Sequence, residues 1–233
     1  MSKKRSKRYQ EAAKLVTPNK GYSLADAVET MKKFPAPKFD PTVTVSFHLT
    51  VDPRKSDQMV RGSVSLPHGT GKNVRVLVFA QGEAAKAALE AGAEFVGFED
   101  LIKKVQEGFV DFDTAIATPE AMTEVRKVAR VLGPRGLMPN PKTGTVTTDT
   151  AKTVKEVKAG RVDYKVDKNA NISAAIGKLS FDNDKIAENA KALIDSVVKA
   201  RPASAKGAYI ESATISCAMC PGLSLDSAEL GKL

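Results

Sequence analysis

VRVLVFAQGEAAKAALEAGAEFVGFEDLIKKVQEGFVDFDTAIATPE, residues 74–120, alternates strand and helix signals three times. VRVLVFA (74–80) is an almost unbroken apolar run, as in a strand covered on both faces. EAAKAALEA (83–91) predicts a helix, EFVGF (94–98) a short strand, DLIKKVQE (100–107) a second helix and TAIA (114–117) a third strand. Thr118-Pro119-Glu120 opens a further helix, expected to run to about Leu132, because proline is tolerated in a first helical turn. A helix from about Asp149, ended by Gly160, follows. This alternation predicts a small α/β domain with a mostly parallel sheet.

The flanking sequence has another style. Residues 3–16 read as a basic helix, and Ser23–Phe34 as an amphipathic one capped by Ser23, with Leu24, Val28 and Met31 on one face. TVTVSFHLTV (42–51) is the cleanest strand: Val43, Val45, Phe47, Leu49 and Val51 face one way, the hydroxyl residues and His48 the other. QMVRGSVSL (58–66) also alternates, and the polar loop DPRKSD between the two predicts an antiparallel pair. Beyond residue 160, RVDYKV (161–166) and NISAAIG (171–177) are expected to pair across a turn at Asp167–Ala170. A long amphipathic helix over 182–200 and a last strand, GAYIESATIS (207–216), complete the chain. The two ends share one style and the middle has another. The sequence therefore predicts a discontinuous α+β domain (1–69 and 160–233) with an α/β domain (70–159) inserted in it. The two crossings, near Pro67–Gly71 and Ala159–Gly160, predict a hinge.

The net charge of +9 is uneven: residues 1–69 carry 13 Lys/Arg against 6 Asp/Glu, whereas residues 70–159 and 160–233 are +1 each. A cationic end on a nearly neutral body suggests a polyanionic partner. The basic start has no apolar run behind it, so no signal peptide is expected, and no stretch approaches the ~20 apolar residues of a membrane span. Two cysteines fit a reducing cytoplasm. Catalytic chemistry is not expected. His48 and His68 lack a neighbouring nucleophile motif. GTGK (69–72) fails as a phosphate loop, because Leu66 stands where the first glycine belongs, Asn73 replaces Ser/Thr, and a strand follows rather than precedes it. No G-x-G-x-x-G follows residues 74–80. Cys217-Ala-Met-Cys220 lacks the further ligands of a structural zinc site, and it ends a strand and runs into Pro221-Gly222 where a redox motif usually opens a helix, so two small packed residues are the expected reading. No cofactor or metal is expected.

VLGPRGLMPNPKTGTV (131–146) holds three glycines, three prolines, Arg135 and Lys142, and no acid. A loop shaped by restricted backbone and carrying cations suits an anion; an ordered connector with two solvated charges is the other reading.

That segment, with KFDPTVTVSFHLTVDPRKSDQMVRGSVSLPHGTGK (38–72), VKAGRVDYKVDKNANI (157–172) and SCAMCPG (216–222), resembles the bacterial L-one family of large-subunit ribosomal proteins over essentially the whole chain. The resemblance implies the split architecture with a Rossmann-like inserted domain. It implies a non-enzymatic, cytoplasmic, ribosome-associated protein, monomeric when free, that binds large-subunit rRNA at the mobile side stalk. It also implies help in releasing deacylated tRNA from the exit site, and repression of its own operon mRNA. The matching rRNA-binding residues are Lys38, Phe39, Thr42, Thr44, Arg54, Lys165, Lys168, Ala218, Met219 and Cys220. Lys4, Arg5, Lys7, Arg8, Arg135 and Lys142 are candidates for further RNA contacts. Cations would meet phosphates, threonine hydroxyls the 2′-OH groups, and Phe39 and Met219 sugars or bases; an aromatic or Met beside a strand is as readily a core residue. Two departures stand out. Ala218-Met219-Cys220 replaces the family's usual Thr-Met-Gly, and Thr44 stands where an acidic residue is common. These departures are expected to weaken binding to mRNA more than to rRNA.

Overall fold

The computed structural model describes residues 5–18, 20–55, 57–205 and 207–226. In chain order its regular elements are α1 (Lys7–Lys14), α2 (Leu24–Lys32), β1 (Thr42–Leu49), β2 (Arg61–Ser65), β3 (Val76–Phe79), α3 (Gly82–Glu90), β4 (Phe95–Gly97), α4 (Glu99–Gln106), β5 (Thr114–Ala117), α5 (Met122–Val125), α6 (Ala129–Leu132), α7 (Thr150–Ala159), β6 (Arg161–Lys165), β7 (Asn171–Lys178), α8 (Asn183–Lys199), β8 (Ile210–Cys217) and β9 (Leu223–Leu225). Short 3-10 turns lie at Arg126–Val128 and Pro141–Thr143. The chain is a mixed α/β protein. It separates into two compact units, Met1–Gly71 with Val162–Leu233, and Lys72–Arg161.

In the first unit the order β7-β1-β8-β9 makes an antiparallel sheet. Strict alternation along β1 buries Val43, Val45, Phe47 and Leu49 on one face. That face meets α2 through Ala27, Val28 and Met31, and α8 through Ile186, Ala190, Leu193 and Val197. Each such large side chain contributes about 1.5–3 kcal/mol by leaving water. The Ser23 hydroxyl accepts the Asp26 N–H at 3.2 Å and so starts α2 where the sequence places it.

Two pairings differ from expectation. β2 does not pair with β1, because both edges of β1 are taken, by β7 and β8. β2 pairs with β6 instead, so β6 does not extend into a hairpin with β7. The turn between them still closes: the Asp167 N–H donates to the Asn171 carbonyl at 2.8 Å. The β2–β6 ribbon is held against α8 by the Tyr164 hydroxyl, which lies 3.1 Å from the Ser196 carbonyl and 2.9 Å from its hydroxyl. Gly62 leaves room for that ring, since a Cβ there would stand 2.6 Å from the Tyr164 oxygen.

The second unit is a parallel sheet of order β4-β3-β5. Alternation along β3 explains its continuous apolar run. Leu77 and Phe79 enter one core with Val105, Val125, Val128 and Leu132; Val76 and Val78 enter another with Ala88, Val154 and Val157. The helix expected over 118–132 is instead α5, a 3-10 turn and α6. Residues i and i+3 eclipse in a 3-10 turn, which lets Val125 and Val128 both point into the core. α7 is capped by the Asp149 carboxylate on the Lys152 N–H at 3.2 Å and ends at Gly160 with φ 109°. Among the described residues no helix is long and apolar enough to cross a membrane.

Candidate nucleic-acid interface

The face of the first unit's sheet opposite α2 and α8 is polar. Thr42, Thr44, Ser46 and His48 project from β1, each half-buried between neighbours. The Thr44 hydroxyl lies 3.1 Å from that of Ser216 on β8, and the Ser46 hydroxyl 2.9 Å from that of Ser173 on β7. His48 Nδ1 meets Asn171 Oδ1 at 2.8 Å, and its Nε2 meets Glu211 at 3.3 Å. The hydroxyls therefore form cross-strand pairs, a surface rich in groups that both donate and accept.

At the Thr42 end several candidates converge. Cys217 to Cys220 form a β-turn in which the Cys220 N–H donates to the Cys217 carbonyl at 3.0 Å and Met219 takes φ 63°. The Ala218 N–H donates to the Thr42 carbonyl at 3.0 Å, tying the turn to the start of β1. Arg8 of α1 donates to the Met219 carbonyl at 3.3 Å. Met219 is 68% exposed and Phe39 48%, so both are surface residues and not core. Lys38 is exposed beside Phe39, and Asp40 pins this segment by accepting from the Ser180 N–H and hydroxyl at 3.2 and 2.7 Å. Lys178, at the end of β7, donates to the Thr42 hydroxyl at 3.0 Å. The sequence did not single it out, because only the β1–β7 register, with Thr42 opposite Lys178, brings it here.

Arg54 and Lys168 lie at the other end of β1. The Leu49 N–H donates to the Ala170 carbonyl at 2.9 Å, placing the 167–170 turn there, and Arg54 follows in the loop leaving β1. The Asp167 carboxylate accepts N–H bonds from Asn169 and Asn171, both at 2.8 Å; the Asn171 bond foremost holds its pKa below the usual carboxylate range. That shapes the turn presenting Lys168, while Lys165 projects outward between buried Tyr164 and Val166. The candidates thus form two cationic groups separated by β1, seven residue steps or about 23 Å, with the hydroxyl face between them.

Of the further candidates, Arg5 lies over the Tyr9 ring at 4.4 Å and Lys7 is exposed. Lys4 and the side chain of Lys142 lie outside the described residues. Arg135 is exposed and belongs to the second unit. Its loop is anchored at the far end: the Thr145 carbonyl accepts from the Ala117 N–H at 3.0 Å, and Arg161 donates to the Thr143 carbonyl. Gly144 is required there, with φ 64° and the Arg161 guanidinium where a Cβ would stand. Among the described residues no group of three or more His, Cys, Asp or Glu could hold a metal ion.

Residues 31–221 match the profile of the Ribosomal protein L1p/L10e family. The chain is 55% identical over 223 residues to the protein named Large ribosomal subunit protein uL1 of Bifidobacterium longum subsp. infantis, an alignment covering 96% of this chain and 97% of that relative.

Proposed function

The chain belongs to the ribosomal protein L1p/L10e family, and from that premise we propose that its first unit grips side-stalk rRNA along β1. It is a structural protein of the large ribosomal subunit, associated with large-subunit rRNA, and not an enzyme. In this reading Arg8, Lys38 and Lys178 at one end of β1, and Arg54, Lys165 and Lys168 at the other, meet phosphates. The Thr42 and Thr44 hydroxyls meet ribose 2′-OH groups, and Phe39 and Met219 pack on sugars or bases. Ala218 brings its backbone and small side chain against the RNA, and Cys220 its backbone. The observation that carries the reading is the convergence of Thr42, Arg8 and the exposed Met219 on one turn. Apolar side chains this exposed beside cations are better matched to a partner than to solvent.

The finer functions follow from the same reading. The second unit is a Rossmann-like domain inserted into the α+β domain formed by residues 1–69 and 160–233. The cytoplasmic protein, monomeric when free, assists release of deacylated tRNA from the exit site, with the Arg135–Lys142 loop available to RNA. It represses its own operon mRNA through the rRNA-binding surface. Footprinting on large subunits with and without exit-site tRNA tests the rRNA and tRNA contacts. Protection of the side stalk is expected in both, with protection of the exit-site tRNA added where that tRNA is bound. Ribosomes that sediment without the protein in near one-to-one amount would remove the basis of the proposal.

A further inference from the structure

The pair Cys217 and Cys220 has a chemistry the RNA-binding role does not use. Both are free thiols. They occupy the first and last positions of a closed β-turn, whose ends lie within about 7 Å, the Cα separation range of about 4.4–6.8 Å in which a disulfide forms. Both side chains lie on the core side of the turn: Cys217 is 3% exposed at the end of β8, and the half-buried Cys220 packs against the same cluster. We propose that Cys217 and Cys220 form a redox-responsive dithiol that a small-molecule disulfide of the glutathione class closes into an intramolecular disulfide, weakening the RNA surface beside it; the second part rests on the function proposed above.

The two thiols have different roles. Burial, and then the neighbouring Cys220 thiol, push the Cys217 thiol up to about 12, so it is protonated at neutral pH. Cys220 is the sulfur solvent can reach. Its thiolate attacks the small disulfide, forming a mixed disulfide and releasing one thiolate. Cys217 then gives its proton to water and attacks the Cys220 sulfur, which releases the second thiol. The protein loses two hydrogens and the oxidant becomes two thiols. The link would brace a turn that is also tied to Thr42 through Ala218 and to Arg8 through Met219. A covalent brace at the base therefore displaces the contacts at the tip.

The full chain is equilibrated in glutathione buffers from reduced to oxidised, trapped by alkylation, and assayed for binding to a side-stalk rRNA fragment. The expected oxidised product resists alkylation at both cysteines, is lighter by two hydrogens, and binds several-fold more weakly, with recovery in dithiothreitol. Cys220→Ser and Cys220→Gly should bind equally in both buffers. Two alkylatable thiols throughout, or a product arrested as a glutathione adduct on Cys220, would overturn the dithiol. Equal affinity of the reduced chain and the proven disulfide would overturn its effect on RNA. If neither form binds, the proposed RNA surface fails, while the alkylation result still decides the disulfide.

Discussion

Asn189 is fully buried, and its amide is used at both ends. Its oxygen accepts the His68 N–H at 3.1 Å, and its nitrogen donates to the Gly69 carbonyl at 3.0 Å and to the Ile176 carbonyl at 2.7 Å. One side chain on α8 thus fastens the segment leaving β2 to the end of the sheet. Asn189→Ala leaves the buried Ile176 carbonyl and the part-buried His68 N–H and Gly69 carbonyl without these partners, a loss of about 2–4 kcal/mol. Urea denaturation should show the midpoint falling with the slope unchanged. Asn189→Asp should be worse at neutral pH, since a carboxylate cannot donate to the two carbonyls; stability equal to the wild type would show that water replaces the amide. In the sequence Asn189 is only a polar interruption beside the apolar face of Ile186, Ala190, Leu193 and Val197. Its role was not legible, because its partners are 121, 120 and 13 residues distant. Phe39 and Met219 were equally undecided, since exposure is a property of the packed turn and not of the residue type.

Elements with a local cause were legible. β1 follows from alternation, α2 from the Ser23 cap, and α7 from Asp149 and Gly160. Partners were not: the alternating pattern of residues 58–66 fits any strand edge, and only the occupancy of β1 by β7 and β8 sends β2 to β6. The same limit hid Lys178 from the candidate site and concealed its division into two groups at the ends of β1. The three-residue β9 carries too little pattern to be seen. The ribbon's dependence on Gly62 gives an element-level expectation. Gly62→Ala should cost about 1–3 kcal/mol by overpacking against Tyr164, measured as a lowered melting temperature. The second unit offers a pH test. Asp113, before β5, accepts from Lys72 at 2.6 Å and from the Arg75 N–H at 3.1 Å, and the Lys72 bond foremost lowers its pKa. A carboxylate with a folded pKa below its unfolded one stabilises above the unfolded value and loses that contribution as pH falls through the folded one. Stability of the wild type should therefore drop on acidification below about pH 4. Asp113→Asn should start lower and show a smaller drop, as read by thermal melts at matched ionic strength. An identical pH dependence in the two proteins would exclude Asp113 as a source of it.

At the scale of the whole molecule, charge and hydrophobic core divide differently between the two units. Each has apolar clusters of its own, yet residues 1–71 and 162–233 hold 22 Lys/Arg against 15 Asp/Glu, while residues 72–161 hold 14 against 12. Most of the excess charge therefore accompanies β1, with cations at both its ends. A shortened chain, residues 1–71 joined to 162–233 by a brief Gly/Ser linker, should fold by its own sheet and helices and keep most of the rRNA affinity. Salt supplies the decisive measurement. If about five of these cations neutralise phosphates, log K should fall with log salt at a slope of about −4. Full-length and shortened chains should then give parallel lines, because the same side chains displace the same counterions in both. A markedly shallower line for a shortened chain shown to be folded by circular dichroism would mean that Arg135 or its neighbours in the second unit contribute phosphate contacts. The interface would then have to be redrawn to include both units.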